Sequence, residues 1–231
     1  MAKKALRRLR QEIIDAGEQL LESGVMQISR HGNISARIPG SDRFLLTAGG
    51  SIGALRPDQI ALFDLDGTLL EGAVEPAAAE IVDMHSIVYR LRPEVGGVVH
   101  THSPAATSFA VAGLPIPLIY EAMARFDMTD GVPVAGYGPR GSRESVEEIA
   151  KAIRAHAHIG GVLLANHGVL AFAGSASGAA RANMVIEETA VLALNARVLG
   201  GAREIPAAMV AHTQARRDEF AAAGVLQATA P

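Results

Sequence analysis

Cysteine is absent from the 231-residue sequence, so neither a disulfide framework nor a thiolate metal site is available. Any bound metal must be held by His, Asp or Glu. Tryptophan is also absent and aromatics make up only 4%, which argues against base-stacking platforms for single-stranded nucleic acid. The net charge of −3 leaves no electrostatic footprint for nucleic acid. The one basic run (Lys3, Lys4, Arg7, Arg8, Arg10) sits on a helical pattern and reads as a surface or packing feature as readily as a binding patch. Beyond the first helix the only lysine is Lys151, on an amphipathic helix, so Schiff-base chemistry is disfavoured. No apolar run is long enough to span a bilayer and no leader pattern opens the chain, so a soluble cytoplasmic protein is expected.

At 49% hydrophobic and 19% charged, the chain can fill a sizeable core. It shows no internal repeat, linker or low-complexity segment, and residues 1–231 read as a single domain. Its centre of gravity is Val95-Gly96-Gly97-Val98-Val99-His100-Thr101-His102-Ser103-Pro104, a short buried strand running into a His-x-His. Residues two apart on a strand share a face, whereas on a helix they diverge. His100 and His102 therefore project together, and two neutral imidazoles suit Zn²⁺ or another transition metal better than Ca²⁺ or Mg²⁺. The competing reading is a pair of satisfied core histidines.

The remaining segments follow in order. Residues 3–23 carry Leu6, Leu9, Ile13, Leu20 and Leu21 at near-helical spacing, with Gly24 as a stop. Residues 25–46 alternate in part, and Gly32-Asn33 favours a tight turn. Phe44–Thr47 is a strand. Ala48-Gly49-Gly50-Ser51-Ile52-Gly53 is a glycine-rich loop able to aim N–H groups at an anion, though an ordinary flexible turn is the preferred reading. Asp64-Leu65-Asp66-Gly67-Thr68 after an apolar strand looks like the nucleophile motif of haloacid-dehalogenase-type phosphatases. The chain has no Asp-Asp pair to complete that site, and Asp66-Gly67 between apolar runs is a hairpin signal, so the hairpin is preferred. A helix is expected over 76–92, opened by Pro76 and carrying Glu80 and His85. Pro104–Ala112 and Ser142–His156 read as helices, the latter with Ser142 as N-cap. Gly131–Pro139 reads as a strand ending in a loop, and His156 and His158 as solvated or capping histidines. Val162–Phe172 reads as one buried strand interrupted by Asn166-His167-Gly168. A polar triplet inside an apolar strand needs partners, which makes His167 the natural third ligand. A long helix is expected over 176–199, and a helical tail from Pro206.

Taken together, Gly32-Asn33-Ile34-Ser35-Ala36-Arg37, Arg92-Pro93-Glu94-Val95 with His100-Thr101-His102-Ser103-Pro104, and Asn166-His167-Gly168 resemble the class II aldolase/adducin family over residues 5–200. The resemblance implies a three-layer α/β/α sandwich with a central, largely antiparallel sheet, and a homotetramer with active sites near subunit interfaces. It implies His100, His102 and His167 as ligands of Zn²⁺ (or Mn²⁺). Glu80 is the candidate acid/base, although the family's acid falls four residues before the histidine, where Ile81 stands. Tyr120 is a candidate donor to a leaving aldehyde. Gly32, Asn33, Gly49 and Gly50 match a phosphate grip, but Ala77-Ala78-Ala79 replaces its paired serines, which puts a phosphorylated substrate in doubt. The implied activity is a divalent-metal-dependent carbon–carbon lyase acting on a small hydroxy-carbonyl substrate through a metal-stabilised enediolate. A first alternative is metal-dependent decarboxylation of a hydroxylated aromatic or pyridine carboxylate. The missing serines favour it, and Gly-Asn in place of Gly-His counts against it. A second is a non-catalytic assembly domain like the adducin head, which lacks the metal histidines present here.

Overall fold

The computed structural model describes residues 2–26 and 29–223; Gln27 and Ile28, part of the alternating stretch above, lie outside them. Its elements are α1 (Ala2–Glu22), β1 (Gly32–Arg37), β2 (Arg43–Thr47), β3 (Ile60–Asp64), β4 (Leu69–Glu71), α2 (Pro76–Ala79), α3 (Val82–Leu91), β5 (Gly97–Thr101), α4 (Pro104–Ala112), α5 (Glu121–Arg125), β6 (Val134–Ala135), α6 (Arg143–Ala155), β7 (Gly161–Leu164), β8 (Gly168–Ala173), α7 (Ala176–Val198) and α8 (Ala207–Ala223). The strands form one sheet in the order β4-β3-β2-β1-β5-β8-β7-β6. Every neighbouring pair is antiparallel except β6–β7.

The period-two alternation of strands distributes the core between two faces. Val98 points to one face, with Phe44, Phe63, Leu170 and Phe172, where Val88 and Tyr89 of α3 and Ile149 and Ile153 of α6 cover it. Val99 points to the other. There it meets Ile34 and Leu45, covered by Ile13 and Leu20 of α1 and by the small residues Ala176, Ala179 and Ala180 of α7. Farther along that face Leu163, Val169 and Ala171 pack against Phe109, Met123 and Ile186 of α4, α5 and α7. Helices on both sides of a mainly antiparallel sheet give the three-layer α/β/α sandwich that the sequence led us to expect.

Helix boundaries follow local chemistry. The Ser142 side chain accepts from Ser145 N at 3.1 Å to open α6, and Ser175 accepts from Gly178 N at 3.0 Å to open α7. Asp64 Oδ1 accepts from the backbone N–H groups of Asp66 (3.1 Å) and Thr68 (2.8 Å). The Asp-x-Asp-Gly-Thr motif is thus the β3–β4 hairpin turn, with Gly67 at φ +88°, and its leading carboxylate is occupied by that turn.

Four sequence expectations change. Gly32-Asn33 does not turn but begins β1, and Gly32 is required there because a Cβ would sit 2.6 Å from His100 O in the β1–β5 pairing. The helix over 76–92 breaks at Glu80–Ile81. The Ile81 N–H bonds Ala78 O, while the Ala77 carbonyl is taken by the Arg140 guanidinium. The strand over 162–172 is two strands, β7 and β8, joined by a tight turn in which Asn166 adopts φ +58°. The strand over 131–139 shrinks to Val134–Ala135.

Candidate metal centre

Strand β5 carries His100 at its end and His102 one step past it. The β7–β8 turn hangs His167 over the same sheet edge. Ring centroids lie 4.8 Å apart for His100–His102, 4.8 Å for His100–His167 and 5.3 Å for His102–His167. One ligand nitrogen from each falls within 4.8 Å of the other two. Tetrahedral Zn²⁺ with bonds of 2.0–2.1 Å needs nitrogens about 3.4 Å apart, which side-chain adjustment can reach. His100 is buried and His102 and His167 are half-buried, so the triad is rooted in the core and open on one side.

Electrostatics favour ligation. Burial, reinforced by the neighbouring imidazoles, pushes His100 well below the ordinary histidine range. His102 is lowered by burial and then by His167, and His167 by burial and then by Arg140. Three neutral imidazoles offer three lone pairs. His100 Nδ1 donates to Val169 O at 2.9 Å, which leaves Nε2 free to act as a ligand.

A buried network clamps the loop from behind. Asn183 Nδ2 donates to Thr101 Oγ1 (2.8 Å), Ser103 Oγ donates to Asn183 Oδ1 (3.0 Å), and the two hydroxyls meet at 2.7 Å. The Glu187 carboxylate, pulled up by burial, accepts from Ala105 N (2.9 Å) and Ala106 N (2.8 Å) at the start of α4. Neither Asn183 nor Glu187 was singled out from sequence, since on an apolar helix they carry no motif.

Gly168 is what lets the two ligand-bearing segments close up. A Cβ there would lie 2.5 Å from Thr101 O, 2.9 Å from His102 Cδ2 and 3.3 Å from His100 Cε1. Gly168→Ala is therefore expected to weaken Zn²⁺ binding about 10–100-fold, the range seen when groups supporting ligands are disturbed. Competition against a chromophoric chelator measures this; unchanged affinity would show that the glycine does not set the histidine spacing.

The other candidate residues fall in three places. Gly32, Asn33 and Gly50 come together, with Gly32 N donating to Gly50 O at 3.0 Å, and Asn33 stands opposite His100 in the β1–β5 register. Gly49 faces the Glu75 carboxylate, whose oxygens lie 3.0 and 3.2 Å from where a Cβ would be. Glu80 is outside the triad. Its side chain is 55% exposed and pairs with Arg140 at 3.6 Å. Arg140, missed from sequence, is the cation felt by His102 and His167, so the Glu80–Arg140 pair borders the centre. Tyr120 caps α5 and its hydroxyl donates to Glu188 at 3.4 Å, a contact with none of the three histidines. A cleft of about 430 Å³ opens beside His102 along Met26, Ser29, Thr107 and Val111, and Thr107 Oγ1 is a buried oxygen with no partner among the described residues. A larger cleft of about 930 Å³ lies between α1 and the loop Pro93–Gly96 and holds none of the three histidines.

Residues 11–194 match the family model described as class II aldolase and adducin N-terminal domain. The chain belongs to the class II aldolase/adducin family. It is 28% identical over 202 residues to the 5-deoxy-D-ribulose 1-phosphate aldolase of Bacillus thuringiensis serovar kurstaki, covering 87% of this chain and 91% of that one. It is 29% identical over 205 residues to the L-ribulose-5-phosphate 4-epimerase UlaF of Salmonella paratyphi C, covering 83% and 86%. Among solved structures it superposes on an L-fuculose 1-phosphate aldolase with a TM-score of 0.81 at 26% identity, over 92% of this chain and 97% of that one. The family's divalent-metal chemistry agrees with the three-histidine group. Among the described residues no helix is long and apolar enough to cross a membrane.

Proposed function

We propose that this chain is a metal-dependent carbon–carbon lyase that cleaves or condenses a small hydroxy-carbonyl substrate at His100, His102 and His167. The observation that carries the reading is the triad itself: three neutral, converging imidazoles with one open side. A divalent ion held there, Zn²⁺ or Mn²⁺, supplies Lewis acidity for the carbonyl and adjacent hydroxyl oxygens of the substrate. The chain's own groups do the rest. His100 Nδ1–H on Val169 O keeps Nε2 aimed inward. Arg140 brings positive charge to the rim, and Glu80, held against it, is the candidate to carry a proton to or from substrate carbon. Tyr120 bonds within its own subunit to Glu188 on α7, so its proposed donation to a leaving aldehyde is assigned to the site of a neighbouring subunit in a homotetramer. Val198 and Leu199, 88% and 87% exposed at the end of α7, are the sort of apolar surface an oligomer covers.

The aldolase relative argues for a ketose 1-phosphate substrate, the epimerase relative for a 4-epimerisation on the same site. The Glu75 carboxylate at Gly49 and the alanines at 77–79 weigh against a phosphate at that loop and keep an unphosphorylated or carboxylated substrate in play. The deciding experiment loads the protein with Zn²⁺ or Mn²⁺ and follows three products separately. They are aldehyde from 5-deoxyribulose 1-phosphate and its dephosphorylated analogue, the C4 epimer from ribulose 5-phosphate, and CO₂ from hydroxy-carboxylates. Aldehyde release lost in Glu80→Ala supports the lyase and the role of Glu80. Unchanged turnover in that variant removes Glu80 from the mechanism, and CO₂ without aldehyde replaces the lyase by a decarboxylase.

A further inference from the structure

Behind the triad lies a buried polar chain that no step above uses. Tyr89 is 1% exposed, and its hydroxyl lies 2.6 Å from Ser35 Oγ, its one side-chain partner among the described residues; the Val98 N–H also faces it and can only donate. A phenol proton buried without an acceptor is costly, so Tyr89 O–H donates to Ser35 Oγ. The Ser35 proton then has one destination, His85 Nδ1 at 2.7 Å. With Nδ1 accepting, a neutral His85 carries its proton on Nε2, which donates to Asn33 Oδ1 at 2.5 Å. The reverse polarity would leave the Tyr89 proton without an acceptor. Each link therefore fixes the next.

Asn33 is where this chain ends. It stands opposite His100 in the β1–β5 pairing, so the two side chains rise from the same face of the sheet. It is 5% exposed, yet its Nδ2 donates to nothing among the described residues. With Oδ1 turned toward His85, Nδ2 lies on the opposite side of the amide.

We propose that Tyr89, Ser35 and His85 form a one-way hydrogen-bond chain that locks the Asn33 carbonyl inward and its two N–H donors outward. Asn33 is then an obligate donor, so the substrate atom it meets accepts a hydrogen bond, as an oxygen of a carboxylate, a phosphate or a carbonyl does. Tyr89, Ser35 and His85 are positioning residues. The selection of an acceptor oxygen rests on the triad being the reaction centre, whereas the polarity of the chain does not.

Long-range ¹⁵N NMR of the metal-free, histidine-labelled protein reads the polarity directly, with the His85→Gln spectrum assigning the signal. The expected result is a neutral His85 protonated at Nε2 alone. Protonation at Nδ1 would overturn the proposal, and this measurement needs only the wild-type fold. Sulfate, which only accepts, then probes the donor. It is expected to shift the Asn33 side-chain amide in the wild type and to bind about tenfold more weakly to Asn33→Ala, the worth of one good hydrogen bond to a charged group. Ser35→Ala is expected to lose the single tautomer and part of the sulfate affinity, and Ser35→Thr to regain both. An Asn33 amide that ignores sulfate, or Asn33→Ala binding sulfate like the wild type, would refute the donor role. If these results hold while the metal experiments fail, the chain stands and the lyase reading falls.

Discussion

Replacing His102 by alanine is expected to empty the metal centre and to reduce lyase turnover by about 10²–10³ or more. Zinc sites held by four ligands are worth about 10–16 kcal/mol in all, so one imidazole accounts for about 3–4 kcal/mol, which is 10²–10³ in affinity. The fold should survive. His102 lies past the end of β5, is half-buried, and makes none of the ladder bonds that join β5 to β1 and β8. His100 and His167, still 4.8 Å apart, remain as a two-ligand remnant too weak to retain an ion through purification. His31→Ala is the control, since His31 is an exposed neighbour of His102 outside the triad. Plasma mass spectrometry on untagged protein checks both: about one Zn²⁺ or Mn²⁺ per chain in the wild type and His31→Ala, and almost none in His102→Ala. Equal metal in all three would remove the triad from the reaction. No metal in any would bring the assembly-domain reading forward.

The triad was legible because each of its parts follows from a local rule. A His-x-His on an apolar strand projects to one face, and a polar triplet in an apolar run must have partners. What the sequence hid was the join. In the sequence Asn166-His167-Gly168 reads as an interruption of one strand, and the chain instead reverses there, because Asn166 takes a left-handed conformation and Gly168 leaves room for the neighbouring His100–His102 segment. That reversal is what suspends His167 above the other two. The break in the helix over 76–92 was equally hidden. Ala77–Ala79 are good helix formers, and the break coincides with a contact from far along the chain, Arg140 donating to the Ala77 carbonyl. Long-range polar contacts of this kind have no period in the sequence. The same holds for Asn183 and Glu187, which brace the segment after β5 from α7, and for His85, whose partners Ser35 and Asn33 lie on β1, some fifty residues earlier.

His85 also makes the protein acid-labile, and this is the other large effect expected. Full burial pushes its pKa from 6.5 down to about 3. The unfolded chain therefore binds a proton at His85 throughout the range where the folded chain refuses it. A depressed folded-state pKa means that the stability from this group is fully present above pH 6.5 and is lost as pH falls toward 3. The slope is about 1.4 kcal/mol per pH unit, and the whole window amounts to about 5 kcal/mol. Against a typical total stability of about 5–15 kcal/mol, one histidine suffices to unfold a marginal domain before pH 3 is reached. The three triad histidines, also lowered by burial, add their own proton dependence, so the measurement compares wild type with His85→Gln, both metal-free, by urea unfolding at steps between pH 6.5 and 4. Glutamine will shift the absolute stability, but the reading is the slope. The wild type is expected to take up one more proton on unfolding than the variant, a difference in slope of about 1.4 kcal/mol per unit. Parallel slopes would mean that His85 is protonated in the folded state. A protonated imidazole has no lone pair at Nδ1 to accept from Ser35, so the same result would also break the chain that orients Asn33.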